Sequence, residues 1–190
     1  MSVAHTKLGD VYGRMERGRE ALQHLRLALE IDKRLCEAEP NNVPLTRKLY
    51  ITYTMLGRVL RGRLGQQLGA PGEARGYLEQ ASALADKMAA ADGENPSSLA
   101  DVAAAGSSLG EWLRVDKQPI PALVPFTKGV AAAERLNSLF GHATGNEDLL
   151  VHVHSRLAVG LTDAGRYDEA LRHLEISEEY LASGENTIRA

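Results

Sequence analysis

The 190-residue chain contains few of the residues that build metal centres, disulfides or membrane segments. Its single cysteine excludes an intramolecular disulfide and any zinc or iron–sulfur site that needs several cysteines. The net charge is only −3, which argues against a general binder of nucleic acid or of anionic membranes. No apolar run approaches the roughly 20 residues that cross a bilayer, and the first residues lack the pattern of a signal peptide. We therefore expect a soluble, cytoplasmic protein with no nucleic-acid and no membrane partner.

Residues that favour β-strands are also scarce. The chain has 5 Ile and 11 Val against 26 Ala and 27 Leu, and only 5% of its residues are aromatic. Alanine and leucine are strong helix formers, whereas β-branched and aromatic residues favour strands. The composition therefore predicts an all-α fold.

Two landmarks recur four times along the chain. The first landmark is a small residue directly after a leucine, and the second is an alanine 13 residues after that leucine, or 18 in the second repeat. The first landmarks are Gly9, Gly57, Gly110 and Ala158, and the second landmarks are Ala21, Ala74, Ala122 and Ala170. The second landmarks are 53, 48 and 48 residues apart, which indicates a long internal repeat with an insertion in its second copy.

Two apolar and small positions keep the same register. Four residues after the second landmarks stand Leu25, Leu78, Phe126 and Leu174, and three residues further on stand Ala28, Ala81, Gly129 and Ser177. Small residues at the landmarks let two helices approach closely, and the larger apolar side chains fill the space between them. A single helix pair cannot bury its apolar face alone, so neighbouring pairs have to share a core.

This pattern, L-G-x-x-[YL] followed by A-x-x-x-[LF]-x-x-[small], resembles the tetratricopeptide repeat, and it is clearest over residues 8–32. The resemblance implies an α-solenoid of about four stacked antiparallel helix pairs in one domain spanning residues 1–190. The repeats would cover residues 1–40, 41–94, 95–143 and 144–190. We predict helices near 3–16, 18–38, 44–66, 72–91, 97–115, 121–140, 147–164 and 167–182. In the second repeat the insertion should lengthen the first helix and the turn before Glu73.

One junction resembles a more specific group of proteins. Residues 38–60, AEPNNVPLTRKLYITYTMLGRVL, are similar to junctions in the C-terminal repeat regions of bacterial eukaryotic-like serine/threonine kinases. The chain contains none of the kinase motifs, so the resemblance implies a regulatory or sensor region and not an enzyme. Only seven residues precede Leu8-Gly9, which predicts that the chain is a fragment whose incomplete first repeat offers a surface to a second copy. The last helix carries Arg172, Glu175, Glu178 and Glu179, which predicts a polar outer face.

Motifs that carry chemistry are weak in this sequence. Gly106-Ser107-Ser108-Leu109-Gly110 fits the G-x-S-x-G nucleophile elbow, but it follows an alanine-rich run and overlaps a repeat landmark, so helix packing is the better interpretation. His152 and His154 are two residues apart and would point to different sides of a helix. We predict no catalytic residue, no cofactor and no metal site.

The resemblance implies that the first helix of each pair lines a concave groove that binds a peptide or a partner helix. By register, the predicted groove residues are Lys7, Asp10, Arg14, Arg58, Arg61, Glu111, Arg114, His152 and Arg156. Residues 40–72 contain five basic and no acidic residues, which favours an acidic or phosphorylated partner. Two alternatives stay open: Glu111 and Asp163 neutralise the arginines, or the solenoid binds a small ligand.

Overall fold

The computed structural model describes residues 1–61, 68, 72–141 and 146–188, without the side chains of residues 184–188. These residues form eight α-helices, and none of them lies in a strand. The helices are α1 Ser2–Arg14, α2 Gly18–Ala38, α3 Val43–Arg61, α4 Glu73–Ala91, α5 Pro96–Val115, α6 Pro119–Phe140, α7 Glu147–Asp163 and α8 Tyr167–Ile188. The predicted all-α fold is confirmed.

The predicted helix starts agree with the structure to within two residues, whereas α8 ends six residues after the predicted position 182. α5 begins at Pro96 after Asn95, whose side-chain oxygen accepts bonds from the backbone N–H groups of Ser97 and Ser98. α6 begins at Pro119, two residues earlier than predicted, because proline costs little in a first turn that has no partner for its N–H groups. The insertion of the second repeat, with the predicted end of its first helix, lies outside the described residues.

The chain divides into two compact units. Residues Met1–Met88 form unit 1 and residues Ala89–Ala190 form unit 2. Each unit contains two helix pairs, α1–α2 and α3–α4 in the first, α5–α6 and α7–α8 in the second. A single domain over residues 1–190 stays a prediction.

Three of the helix pairs are closed by the same three-residue turn. Glu16, Lys117 and Gly165 have φ values of 60°, 59° and 77°, and each stands seven residues after its first landmark. In each turn the next residue donates its backbone N–H to a carbonyl five residues back, at 2.9 Å; the pairs are Arg17 to Tyr12, Gln118 to Leu113 and Arg166 to Leu161. This left-handed cap satisfies the last carbonyls of the first helix and reverses the chain at once.

At the first landmarks a large side chain of the second helix packs directly against the first helix of the pair. A Cβ atom on Gly9 would lie 2.6 Å from the side chain of Leu25, and one on Gly57 would lie 2.5 Å from that of Leu78. A Cβ atom on Gly110 would likewise lie 2.6 Å from the ring of Phe126. Each of these large side chains therefore fills the space above a glycine, as the repeat pattern predicts.

The fourth pair differs because its first landmark is Ala158. The methyl group of Ala158 is buried, and Leu174, which would cover a glycine there, is 42% exposed. The corresponding Leu25, Leu78 and Phe126 are at most 3% exposed. Arg172, Glu175, Glu178 and Glu179 on α8 are exposed, as predicted, but Leu171 and Leu181 are exposed as well, so the outer face of this helix is only partly polar.

Unit 1 contains a buried carboxylate that the sequence did not reveal. Asp32 on α2 is 2% exposed and accepts hydrogen bonds from Ser2 on α1 and from Thr52 on α3, the latter at 2.7 Å. A buried carboxylate is stable only where such donors replace its water shell. Asp32 therefore joins three helices of unit 1.

The G-x-S-x-G match lies inside α5, so the strand and sharp turn of a nucleophile elbow are absent from this described segment. A Cβ atom on Gly106 would lie 2.4 Å from the carbonyl oxygen of Pro125 and 3.0 Å from the backbone nitrogen of Gly129. Gly106 thus permits backbone contact between α5 and α6, and its role is packing.

We expect Gly106→Ala to lower the free energy of unfolding by about 1–3 kcal/mol, because the new methyl group meets backbone that cannot move aside. Gly76→Ala is the matched control, since a Cβ atom there meets no described atom within 4 Å. In that helix interior the substitution should stabilise by about 0.5–1 kcal/mol. Urea unfolding of both variants measures the difference. Equal effects at the two positions would contradict the close approach.

Candidate binding surface

The first helices of each unit lie side by side. In unit 1 a Cβ atom on Gly13 of α1 would lie 3.5 Å from Val59 of α3. In unit 2 ion pairs join α5 to α7. Each unit therefore has its own first-helix face, which we define as the surface formed by α1 and α3 in unit 1 and by α5 and α7 in unit 2.

The arginines on the first-helix face of unit 2 are already bound by carboxylates. Arg114 donates two hydrogen bonds of 3.0 Å to the carboxylate of Glu111 and one of 2.9 Å to Asp163. Arg156 lies 3.4 Å from Glu111. The two carboxylates raise the pKa of Arg114 further, so its charge is permanent. This neutral network is the first alternative that the sequence left open. Because its arginines are already paired, we expect the first-helix face of unit 2 to bind an anion weakly.

The first-helix face of unit 1 has a different charge balance. Arg14 and Asp10 form a 2.9 Å pair on one turn of α1, and both side chains are well exposed, so the pair is weak. Lys7 and Arg58 are exposed, and among the described residues no carboxylate lies within ion-pair distance of either. Arg61 is half-buried and has an interaction partner. The predicted proximity of Arg61 to Arg114 concerns two different units and stays a prediction.

His152 and His154 point to different sides of α7, as predicted. His152 is exposed, and its partial desolvation together with the Arg156 guanidinium lowers its pKa. His154 is fully buried. Only His152 therefore belongs to the surface of the molecule.

Each unit contains a histidine pair at the same place in the repeat. The Nδ1 atoms of His5 and His24 are 3.1 Å apart in unit 1, and those of His154 and His173 are 3.0 Å apart in unit 2. Both pairs join the two helices of a pair, and both are separated by 19 residues. Such a contact requires one ring nitrogen to donate and the other to accept, so the accepting ring is neutral.

The pair in unit 2 is the more deeply buried. Burial, and secondarily the neighbouring His173, lowers the pKa of His154 from 6.5 to about 4. Burial also lowers the pKa of His173, although Glu134 and Glu169 oppose this. The Nε2 atom of His154 lies 3.6 Å from a carboxylate oxygen of Glu134 and has no hydrogen-bond partner among the described residues.

Comparisons with known proteins give no family for this chain. No protein-family profile matches it, and no curated protein sequence does. Among solved structures, MamA MSR-1 C2 is 17% identical over 96% of this chain and 97% of its own, with a TM-score of 0.49. TTC0263, a thermophilic TPR protein in Thermus thermophilus, is 18% identical over 97% of this chain and 98% of its own, with a TM-score of 0.39. Similarity at this level carries over neither a partner nor an activity.

Two further findings bear on the predicted function classes. Among the described residues, no helix has the length and hydropathy that a bilayer crossing requires. Within the same part of the chain, no three side chains of His, Cys, Asp or Glu gather as a metal ion would need. The kinase resemblance stays a prediction.

The buried histidine pair predicts that acid destabilises this protein. Unfolded histidine binds a proton below pH about 6.5, whereas folded His154 stays neutral down to about 4. His154 should therefore lower the free energy of unfolding as the pH decreases from about 6.5 to about 4. One such group contributes a slope of up to about 1.4 kcal/mol per pH unit. His154→Asn keeps an amide near the Nδ1 position but cannot titrate, so urea unfolding at several pH values should show a flatter profile.

Glu134→Gln is the matched control for this experiment. It removes the carboxylate nearest to Nε2 but leaves the burial that lowers the pKa of His154. Its slope between pH 6.5 and 4 should therefore resemble that of the unchanged protein. A His154→Asn variant with an unaltered slope would show that this histidine does not cause the acid sensitivity.

Proposed function

We propose that this chain is a protein-interaction module, and that the first-helix face of unit 1 binds an acidic segment of a partner protein. The observation that carries the proposal is Arg58, an exposed guanidinium on α3 with no carboxylate within ion-pair distance among the described residues. A planar guanidinium in this situation can offer paired donors to a carboxylate or a phosphate.

The contrast between α3 and the other first helices supports this choice. One residue after the first landmark stands Arg58 on α3, whereas Asp10 stands there on α1 and Glu111 on α5. Glu111 uses its carboxylate to hold Arg114 and Arg156 within the chain. No such carboxylate is provided for Arg58 by the described residues, so an incoming acidic group would supply the missing partner.

The first-helix face of unit 1 carries further basic residues. Arg61 follows one turn later on α3, and Lys7 on α1 is exposed. Positive charges on one face attract an acidic segment over roughly a Debye length, about 8 Å at physiological salt. Binding should therefore weaken as salt increases.

The sequence also predicts features of the parent protein. A regulatory region of a serine/threonine kinase, located in the cytoplasm, would use such a face to recognise an acidic or phosphorylated segment. The bacterial origin and the kinase parent are predictions from the junction at residues 38–60 alone. A small-ligand sensor is the second candidate from the sequence, and no feature of the described parts of the two first-helix faces favours it.

The proposal predicts a specific pattern of lost affinity. A fluorescein-labelled peptide of consecutive glutamates serves as the acidic probe, and fluorescence anisotropy measures its dissociation constant at low and at physiological salt. Arg58→Ala, and more so its combination with Arg61→Ala, should weaken binding by about tenfold or more, because a charge-assisted hydrogen bond contributes about 1.5–3 kcal/mol. The urea midpoint of the Arg58→Ala variant should barely move.

Arg114→Ala is the matched control. Arg114 has the register of Arg61 but is held by Glu111 and Asp163, so its removal should leave peptide affinity unchanged. It should instead lower stability, since it leaves a carboxylate with 15% exposed side chain without its main partner. Equal loss of affinity in the Arg58 and Arg114 variants, or no binding by the unchanged protein at low salt, would refute the assignment.

A further inference from the structure

α8 carries an uncovered apolar stripe along one side. Tyr167, Leu171, Leu174 and Leu181 are 42–63% exposed, and their spacing of four, three and seven residues places them in a narrow arc of the helix. Isolated exposed leucines are ordinary on a protein surface, but an aligned row of them along a helix marks a contact face. We call this row the α8 stripe.

The same register positions are buried on α2 and α6. Leu171 corresponds to Leu22 and Leu123, which are 4% and 8% exposed, whereas its counterpart on α4 is the exposed Arg75. Leu174 corresponds to Leu25, Leu78 and Phe126, as described above. The α8 stripe therefore has the register of the surface through which α2 and α6 pack.

α1 carries the complementary face. Leu8, Val11 and Met15 are 42–58% exposed and form a row along this helix, which we call the α1 stripe. Leu8 corresponds to the buried Leu56 and Leu157 and to the half-buried Leu109, and Val11 corresponds to the buried Trp112 and Gly160 and to the half-buried Val59. Met15 corresponds to the exposed Asp116, so within the α1 stripe Leu8 and Val11 have the register of covered first-helix positions.

The α6–α7 contact in unit 2 shows how these two faces fit each other. A Cβ atom on Gly160 of α7 would lie 2.9 Å from the ring of Phe126 and 3.4 Å from Leu123, both on α6. Gly160 has the register of Val11, and Leu123 and Phe126 have the registers of Leu171 and Leu174. If α1 of a second copy packs on α8 as α7 packs on α6, Val11 contacts Leu171 and Leu174.

The side-chain sizes agree with this transfer. In the α6–α7 contact the large Phe126 ring meets Gly160, which has no side chain. In the transferred contact a medium-sized valine meets a medium-sized leucine. The summed volume is therefore similar, as well-packed cores require.

Charge completes the match. Gly160 near the end of α7 meets Phe126 near the start of α6, so these two helices run antiparallel. We take α1 to run antiparallel to α8 in the same way. Lys7, one turn before Val11, then lies beside Glu178, which is one turn after Leu174. Both are exposed, and neither has an ion-pair partner among the described residues. Glu175 and Glu179 add negative charge on α8.

We propose that a second copy of this chain docks its α1 stripe on the α8 stripe, with Val11 against Leu171 and Leu174 and with Lys7 beside Glu178. The two stripes are different surfaces, so the contact is heterologous and each bound copy still presents one free stripe. Self-association then continues into longer assemblies as concentration rises. The contact uses Lys7, which also belongs to the first-helix face of unit 1, but it involves neither Arg58 nor Arg61. Arg58→Ala and Arg61→Ala should therefore leave self-association unchanged, which separates this proposal from the acidic-segment proposal.

Sedimentation velocity of the 190-residue chain tests this proposal. From low micromolar to sub-millimolar concentration, the average sedimentation coefficient should increase steadily. Val11→Glu removes the α1 stripe and Leu171→Glu removes the α8 stripe, and each variant alone should sediment as a monomer, with association at least tenfold weaker. Val124→Glu is the matched control, because Val124 is 73% exposed on α6 outside both stripes. It should associate like the unchanged protein.

A mixture of the two variants gives the decisive result. The Val11→Glu chain retains an intact α8 stripe and the Leu171→Glu chain an intact α1 stripe, so an equimolar mixture should form a dimer that grows no further. Lys7→Glu and Glu178→Lys should likewise weaken association singly and restore it when mixed, without any change in the apolar stripes. Circular dichroism of each variant checks that the helices are intact.

Three outcomes would overturn the proposal. An unchanged protein that remains monomeric at every concentration would mean that another partner covers the stripes. A Val11→Glu variant that still dimerises would mean that like stripes pair with each other. A variant mixture that stays monomeric would mean that the α1 and α8 stripes do not meet.

Discussion

The close approach of two helices at a residue without a side chain is the constraint on which this fold depends. Gly9, Gly57 and Gly110 each lie beneath a large apolar side chain of the following helix, at distances that a methyl group would violate. This approach brings many apolar atoms into contact and removes them from water, the main favourable term in folding. It also fixes how far one helix is shifted along the other.

Other features follow from that fixed shift. The left-handed turn residues Glu16, Lys117 and Gly165 occur at one register position, because the helices have to reverse at the same distance from their closest contact. The two histidine pairs share a register for the same reason. Where Ala158 replaces the glycine, Leu174 stays half in solvent. The rest of the α8 stripe is exposed because no described first helix packs on it in the way that α7 packs on Leu123 of α6.

Much of the fold was predictable from the sequence, because periodic apolar and small residues report which faces of a helix are buried. The candidate site was less predictable. Register placed Arg114 and Arg156 on first helices but could not show that Glu111 reaches both, since side-chain pairing depends on distances across helices. The buried Asp32 and the equivalence of His5 with His154 were missed, although the offset of each histidine from its landmark was a usable signal.

A double-mutant cycle on Gly57 and Leu78 tests the central claim most directly. Gly57→Ala should destabilise by adding a methyl group against Leu78, and Leu78→Ala by leaving a cavity. If the two residues share one space, the methyl group at position 57 fits into that cavity, and the double variant should be more stable than the sum of the single effects by about 1 kcal/mol or more. Effects that add to within about 0.5 kcal/mol would contradict the account.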